Sequence, residues 1–461
     1  MHKALRLSPR ALKERIESID VVRRIRGGLF AGPVFLVGGA LRELALGRVP
    51  NDYDLAIGCA EDLPRIREIF AATGFLLGKK PVQTYRFLAG GITLDTSILA
   101  GSIEDDLRRR DFTINAMAYA LNNGAVLDPL GGLKDLSMGI IRYPTRESLR
   151  EDPLRMVKAI RHLSVLSGFS LDPALKRAMK EEKALIRNTA AERIKYELDL
   201  VMLSANPYRG MKAMEETGLL FEIFPELLKL KEMDREKRLR PMSFGHTIGG
   251  FRHVRRIKQF YPFNEREIKH AGYALLFHDL GKPETFSYDK EKRRVHFYYH
   301  ERRSRDIAAG VMERLRFSAS EIRTIKSLVE NHMRIFLIST GEATEKATRR
   351  LVYRMEDLAP SLVFLTLLDL YGNSGGRDNE STAQVRMRCR DVLSGYAEWK
   401  STPLPRIVTG RDLIAIGFEE GPALGEVLRE IRGKQIAGEI TEKEQALEYA
   451  AFMKTRAGLP H

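Results

Sequence analysis

Near residue 148 the spacing of apolar residues changes character, and this change constrains the fold of the 461-residue chain more than any other feature. Before it, short apolar runs alternate with glycine turns. Val34-Phe35-Leu36-Val37 closes on Gly38-Gly39, Asp54-Leu55-Ala56-Ile57 is a second run, and residues 85–88 and 92–99 flank Gly90-Gly91 as a hairpin would. After it, apolar residues recur at helical spacing, as in Leu154, Met156, Val157, Ile160 and Leu163. The expectation is an α+β chain: a head with a mixed sheet, then an all-helical remainder. Breaks are expected at residues 229–242, 372–379 and 401–405, where polar residues, glycine or proline interrupt the pattern.

Composition narrows the function classes. No run of about 18 apolar residues occurs, so no membrane partner is expected. The N-terminal residues interleave charge with apolar side chains, unlike a secretory signal. Cys59 and Cys389 are the only cysteines, which excludes a disulfide scaffold or a Cys-rich zinc ribbon. No disulfide-linked partner is expected, and a reducing cytoplasm fits. With 76 Lys+Arg against 61 Asp+Glu, the net charge of +15 suits a polyanionic partner such as RNA.

The segment GGALRELALGRVPNDYDLAIG carries the sharpest local chemistry. Gly38 and Gly39 allow backbone N–H groups to approach phosphate oxygens, and Arg42 follows near the start of a helix expected from Ala40. Asp52 and Asp54 stand two residues apart, so an extended backbone projects both carboxylates from one face. Such a pair needs a cation, and Mg²⁺ held with substrate phosphates is the natural one. Asp95, in the strand-like Ile92-Thr93-Leu94-Asp95, can complete a site for in-line phosphoryl transfer. A bare Asp-x-Asp is more often a solvated turn; the upstream Gly-Gly and Arg42 reverse that reading.

These motifs, with DLRRRDFTINAMA at residues 106–118, DPLGGLKDL at 128–136, EDPLR at 151–155 and ERIKYEL at 192–198, resemble in order the class II tRNA nucleotidyltransferase (CCA-adding enzyme) and bacterial poly(A) polymerase family. The likeness extends to residues 408–431. It implies a polymerase beta-like head and the addition of C and/or A from CTP and ATP to the 3′ end of tRNA or another RNA, with pyrophosphate released. It implies that Asp52, Asp54 and Asp95 are catalytic, with Mg²⁺ on Asp52 and Asp54. Gly38, Gly39, Arg42, Arg110, Asp111 and Asn115 then bind the nucleotide, while Asp152 and Arg155 read its base from one face of a helix starting near Glu151. Lys158 and His162 depart from the Arg and Phe usual in relatives. Only ten residues separate Asp95 from Asp106. Many full CCA-adding relatives carry a longer flexible loop there, so the short segment resembles members that add only CC or only A, or untypical polymerases. Residues 76–87 resemble the basic signature of bacterial poly(A) polymerases in part.

Seven of the ten histidines fall between His246 and His332. ALLFHDLGKPETF resembles an HD domain, whose metal ligands are a first His, a His-Asp pair and a late Asp. That assigns His278 and Asp279, with Asp369 last and His253 first, His246 competing for the first place. His300 and His332 stand where binuclear members hold a second metal. Imidazole with carboxylate suits Mn²⁺, Ni²⁺, Fe or Zn²⁺ and phosphoester hydrolysis; the alternative is a set of relict ligands in an RNA-holding domain. The expected divisions are 1–147 for the head, 148–235 for a helical RNA-binding neck, 236–378 for the HD domain and 379–461 for a tail. Three other readings stay open: poly(A) polymerase, an HD phosphohydrolase whose head only positions RNA, and a non-catalytic RNA-binding protein.

Overall fold

The computed structural model describes residues 9–77, 84–237, 243–340, 345–402 and 404–456. It divides into two compact units, Met1–Ser204 with Arg209–Ile223 and Ala205–Tyr208 with Phe224–His461.

The first unit holds a seven-stranded mixed sheet. Its strands are β1 (Val34–Val37), β2 (Asp52–Ile57), β3 (Thr73–Leu77), β4 (Thr84–Ala89), β5 (Ile92–Ile98), β6 (Ala118–Ala120) and β7 (Val126–Leu127), in spatial order β3-β4-β5-β2-β1-β6-β7. Only β2 and β5 run parallel; every other pairing is antiparallel. β1 lies centrally and all four of its apolar residues are buried, as an unbroken apolar run requires when both faces are covered. The Gly90-Gly91 turn, both residues at positive φ, sets Ala89 opposite Ile92 and joins β4 to β5 as the sequence suggests. The partly matching signature at residues 76–87 falls largely outside the described residues, at 78–83.

One expectation about the head's exit is corrected. No single helix starts near Glu151: a short helix Glu147–Glu151 ends, Asp152 is extended (φ −139°), and a new helix Leu154–Val165 begins behind Pro153. Proline disfavours helical backbone in the residue before it and lacks an N–H to continue the ladder. Asp152 therefore sits at a junction and Arg155 in the first turn beyond it. The unit also holds β8 (Ile140–Ile141) paired in parallel with β9 (Ser170–Leu171), and helices through Ile223.

Among its described residues the second unit has one hairpin, β10 (Phe286–Asp289) with β11 (Arg294–Phe297), and its other elements are helices. The expected break at 229–242 is overturned in its first part, because the helix Pro225–Lys237 runs through it; residues 238–242 lie outside the described ones. The break at 372–379 holds: the helix Ala359–Ser374 stops at left-handed Gly375, and Asn379 opens the next with a capping box. That next helix ends at Ser401, inside the third expected break, of which Pro403 is not described. No described helix is long and apolar enough to cross a membrane, and both cysteines are free thiols.

Candidate functional site

In the first unit the acids meet at the start of β2. Asp52 and Asp54 occupy alternate positions, with Tyr53 buried between them. Because β2 and β5 are parallel and in register, Asp54 stands beside Asp95, on the same face of the sheet. Val37 pairs with Asp54 on the other side, which brings Gly38 against the carboxylate. Gly38 has φ +76°, and a Cβ there would lie 2.5 Å from Asp54 Oδ2 and 2.8 Å from Arg110 Nη1. Only glycine fits that close approach. Gly39 donates its backbone N–H to Asp54. Burial pushes the Asp54 carboxyl up from its ordinary range, Arg110 pulls it down, and Asp95 pushes it up again.

Sequence reasoning missed the partner of Asp95. Arg86, opposite it on β4, donates Nε to Oδ1 at 2.7 Å and Nη2 to Oδ2 at 2.6 Å, a bidentate pair that fixes the carboxylate's plane. The signal was available, because counting back three residues from Ala89 and forward three from Ile92 pairs Arg86 with Asp95.

Cations and amides surround the acids. Arg110 is held by Asp106 at 3.0 Å, leaving its third nitrogen by Gly38. Arg42 donates to Asn115 Oδ1 and pairs with Glu43 at 2.8 Å, while Asn115 donates Nδ2 to Asp111 Oδ1 at 2.9 Å. Arg42, Asn115 and Asp111 thus form one hydrogen-bonded chain, as their assignment to one ligand would need. Asp152 takes a bond from Arg193 Nη2 at 3.0 Å. Arg155 donates to the carbonyls of Ser148 and Arg109, so Asp152 and Arg155 are fixed by separate partners rather than by each other. His162 is buried edge-on to Phe112, with centroids 5.4 Å apart. Burial, then Arg42, Arg161 and Lys158, hold its pKa well below the ordinary value.

In the second unit five segments converge. His246 comes from the helix Ser243–Gly250, and His278-Asp279 from the end of the helix Glu265–Phe277. His300 begins the helix His300–Arg314, His332 follows Ala319–Asn331, and Asp369 lies in Ala359–Ser374. All six side chains are buried. His246 Nε2 lies 3.1 Å from His278 Nε2, 3.2 Å from Asp279 Oδ2 and 3.4 Å from Asp369 Oδ1. On the other side of Asp279, His300 Nε2 is 3.6 Å from Oδ1 and 3.3 Å from His332 Nε2. Asp279 therefore bridges two clusters of metal-ligand type.

His253 is not among them. It lies two helical turns beyond His246, its ring 5.4 Å from that of Tyr371 and against Gly376. Seven residues return to nearly the same side of a helix but about 10 Å further along. The expectation that placed His253 first is thus corrected to His246.

The hydrogen bonding fits a metal. His278, His300 and His332 each set Nδ1 within 2.7–2.9 Å of a backbone carbonyl, of Leu275, Phe297 and Val329. A carbonyl only accepts, so Nδ1 carries the proton and the neutral ring turns a lone pair inward at Nε2. Two such lone pairs 3.3 Å apart, as in His300 and His332, repel unless a cation lies between them. Burial pulls His278 down to about 4 and His332 to about 3, keeping both rings neutral. Burial alone would raise Asp279, but the charge of Lys282, 2.6 Å away, and a hydrogen bond from His246 hold it well below the usual carboxylate range. Its Oδ1 is buried without a hydrogen-bond partner.

Comparisons with known proteins match the head and the HD region that hold these two groups of residues. Residues 79–142 match the poly A polymerase head domain, 168–230 the probable RNA and SrmB-binding site of polymerase A, and 243–373 the HD domain. The chain is 31% identical over 89% of its length to an A-adding tRNA nucleotidyltransferase of Deinococcus radiodurans, covering 93% of that protein. It is 30% identical over 91% of its length to a CC-adding tRNA nucleotidyltransferase of Thermus thermophilus, again covering 93%. Its fold matches the CCA-adding enzyme of Bacillus stearothermophilus in complex with CTP, with a TM-score of 0.65 at 20% identity, over 99% of this chain and all of that one. Sharing most of its length with such relatives, and carrying the head, RNA-binding and HD regions in order, the chain belongs to the tRNA nucleotidyltransferase family.

Proposed function

We propose that the chain extends the 3′ end of tRNA with either the CC pair or the terminal A, but not both, using CTP or ATP and releasing pyrophosphate. The reaction is attack by the RNA 3′-hydroxyl on the nucleotide's α-phosphate. The observation that carries the chemistry is the register setting Asp54 beside Asp95 under the Gly38-Gly39 turn. Arg42 and Arg110 neutralise the triphosphate, Asp111 and Asn115 take the ribose, and Asp152 with Arg155 meets the base edge. Asp95, oriented by Arg86, accepts the hydroxyl proton or completes the metal's oxygen set. A divalent ion on Asp52 and Asp54, Mg²⁺ for an oxygen-only donor set, supplies positive charge against the developing charge on the phosphates when bound.

The single-type product rests on the path from β5 to the next helix. β5 ends at Ile98 and a capping box at Ser102 opens the helix Ile103–Arg108. Residues 99–102 alone connect them, leaving no free loop of the kind many full CCA-adding relatives use when switching from C to A. The relatives at 30% identity or above over most of the chain, one A-adding and one CC-adding, support this reading. The test is a product ladder from tRNA ending before its CC and from tRNA ending in CC, each with CTP, ATP or both. Full CCA from both nucleotides refutes the single-type product, and an unbounded A tail favours a poly(A) polymerase.

A second activity is favoured by the inward lone pairs of His278, His300 and His332 around Asp279. We infer a Mn²⁺, Fe, Ni²⁺ or Zn²⁺ centre of His246, His278, Asp279, His300, His332 and Asp369 that hydrolyses phosphoesters. Of the expected divisions, that at 378 falls in the break between Ser374 and Glu380, whereas that at 235 falls inside the helix Pro225–Lys237; the free thiols Cys59 and Cys389 suit action in the cytoplasm.

A further inference from the structure

The hairpin β10–β11 and the two residues after it expose aromatic rings among cations. Phe286 and Phe297 face one another at a non-solvent edge, with centroids 5.9 Å apart, and Lys282 covers Phe297. Tyr288, Tyr298 and Tyr299, by contrast, are 54%, 64% and 66% exposed. The His296 ring stacks on Tyr298 within 7° of parallel, so Tyr298 lies on the side of the hairpin that His296 marks. Arg294, two residues before His296, projects from that same face at about 6.6 Å spacing. Tyr299 takes a left-handed backbone, φ +60°, which bulky residues rarely adopt, and Arg302 lies over its ring at 5.2 Å. Among the described residues Lys290, Lys292, Arg293 and Arg294 form no ion pair; each is exposed.

Charge complementarity selects the occupant. Lys290, Lys292 and Arg293 lie in the exposed turn and Arg294 opens β11 opposite Asp289, while the exposed rings of Tyr298 and Tyr299 follow its other end, a span of about two nucleotides. Lysine is depleted from protein–protein interfaces, whereas aromatic faces beside cations are the sequence-tolerant way of holding single-stranded nucleic acid: bases stack and phosphates pair. We propose that this hairpin face seats single-stranded RNA, bases stacking on Tyr298 and Tyr299 and phosphates meeting Arg294 and Lys292. It is an RNA contact separate from the nucleotide-adding residues, and it holds whichever product the head makes. The seat adjoins the histidine centre, since the Phe297 carbonyl at its end accepts from His300 Nδ1.

The test uses the full chain and a short oligouridylate carrying 5-iodouracil. Photocrosslinking with peptide mapping should place the label within residues 294–302. Changing Tyr298→Ala with Tyr299→Asn, asparagine being tolerant of left-handed backbone, should abolish that crosslink and weaken oligonucleotide binding about tenfold, from the loss of stacking. Arg294→Gln should lower the salt dependence of binding by about one ion, and Tyr298→Phe should keep the affinity. Nucleotide addition to saturating tRNA, within twofold of the parent in every variant, reports an intact fold. Crosslinks confined to other segments, or affinity within twofold for the double variant, would overturn the proposal. So would loss of binding to phosphatidylglycerol vesicles with oligonucleotide binding unchanged, which would assign the face to a membrane.

Discussion

The carboxylates of the first unit and the histidines of the second are both sets of metal-ligand type, but of opposite materials. Asp52 is exposed, and Asp95 keeps 23% of its side chain accessible and is charge-balanced by Arg86. Asp279 keeps 1%, amid buried imidazoles and one lysine. Open acids can share a mobile ion with an arriving triphosphate, and that suits weakly held Mg²⁺. A closed set of lone pairs would hold an ion tightly, because its removal would leave buried acceptors facing one another. The difference predicts that the two centres can be broken separately.

The largest effect should follow Asp54→Ala or Asp52→Ala. Single-turnover nucleotide addition should fall more than about a hundredfold, since charge stabilisation worth several kcal/mol is lost, while metal content of the second unit stays unchanged. Parallel loss of both would collapse the comparison. The reciprocal change, Asp279→Ala, should remove tightly held transition metal from the purified protein by elemental analysis and spare addition. Equal metal in both proteins would remove the centre, and metal without hydrolysis of cyclic phosphate substrates would make it structural.

Arg86→Leu comes next. It should lower addition roughly tenfold to a hundredfold by freeing Asp95, a positioning loss of about 1.4–2.7 kcal/mol, and Arg86→Lys should recover only part because one ammonium cannot make the bidentate pair. Unchanged addition in Arg86→Leu would show that Asp95 needs no orientation. The double change Asp152→Ala with Arg155→Ala should blur the choice among triphosphates more than it weakens their binding; intact rejection of UTP and GTP would remove the base-reading assignment.

The smallest effect concerns His162, where the unfolded imidazole near pKa 6.5 becomes a depressed one in the fold. Its contribution is fully present above pH 6.5 and is lost as pH falls below it, by up to about 1.4 kcal/mol per pH unit. Denaturant midpoints of the first unit's transition between pH 7.5 and 5.5 should therefore slope less in His162→Phe than in the parent. Equal slopes would mean that His162 is protonated within the fold.

Much of the head was legible because its determinants are local. The alternation through Asp52 and Asp54, the glycine turn after β1 and the two-residue hairpin at Gly90-Gly91 all act over a few residues, and the hairpin even encoded Arg86 opposite Asp95. The parallel pairing of β2 with β5 was not encoded in that way; it joins strands more than thirty residues apart and alone sets Asp54 beside Asp95. Pro153, which suits a first helical turn, instead separated the helices Glu147–Glu151 and Leu154–Val165.

The chain's own order of residues determined which groups are the candidates for chemistry: three acids, a glycine pair, a His-Asp pair and a late aspartate. Tertiary structure decided which of them meet. His246 and His253 stand one heptad apart, so helical periodicity places them on nearly the same side and cannot choose between them. The choice belongs to packing, because the helix Ser243–Gly250 lies where its His246, two turns before His253, reaches the end of Glu265–Phe277 and the side of Ala359–Ser374. Periodicity fixes an angle around a helix; only the neighbouring helices fix a height along it.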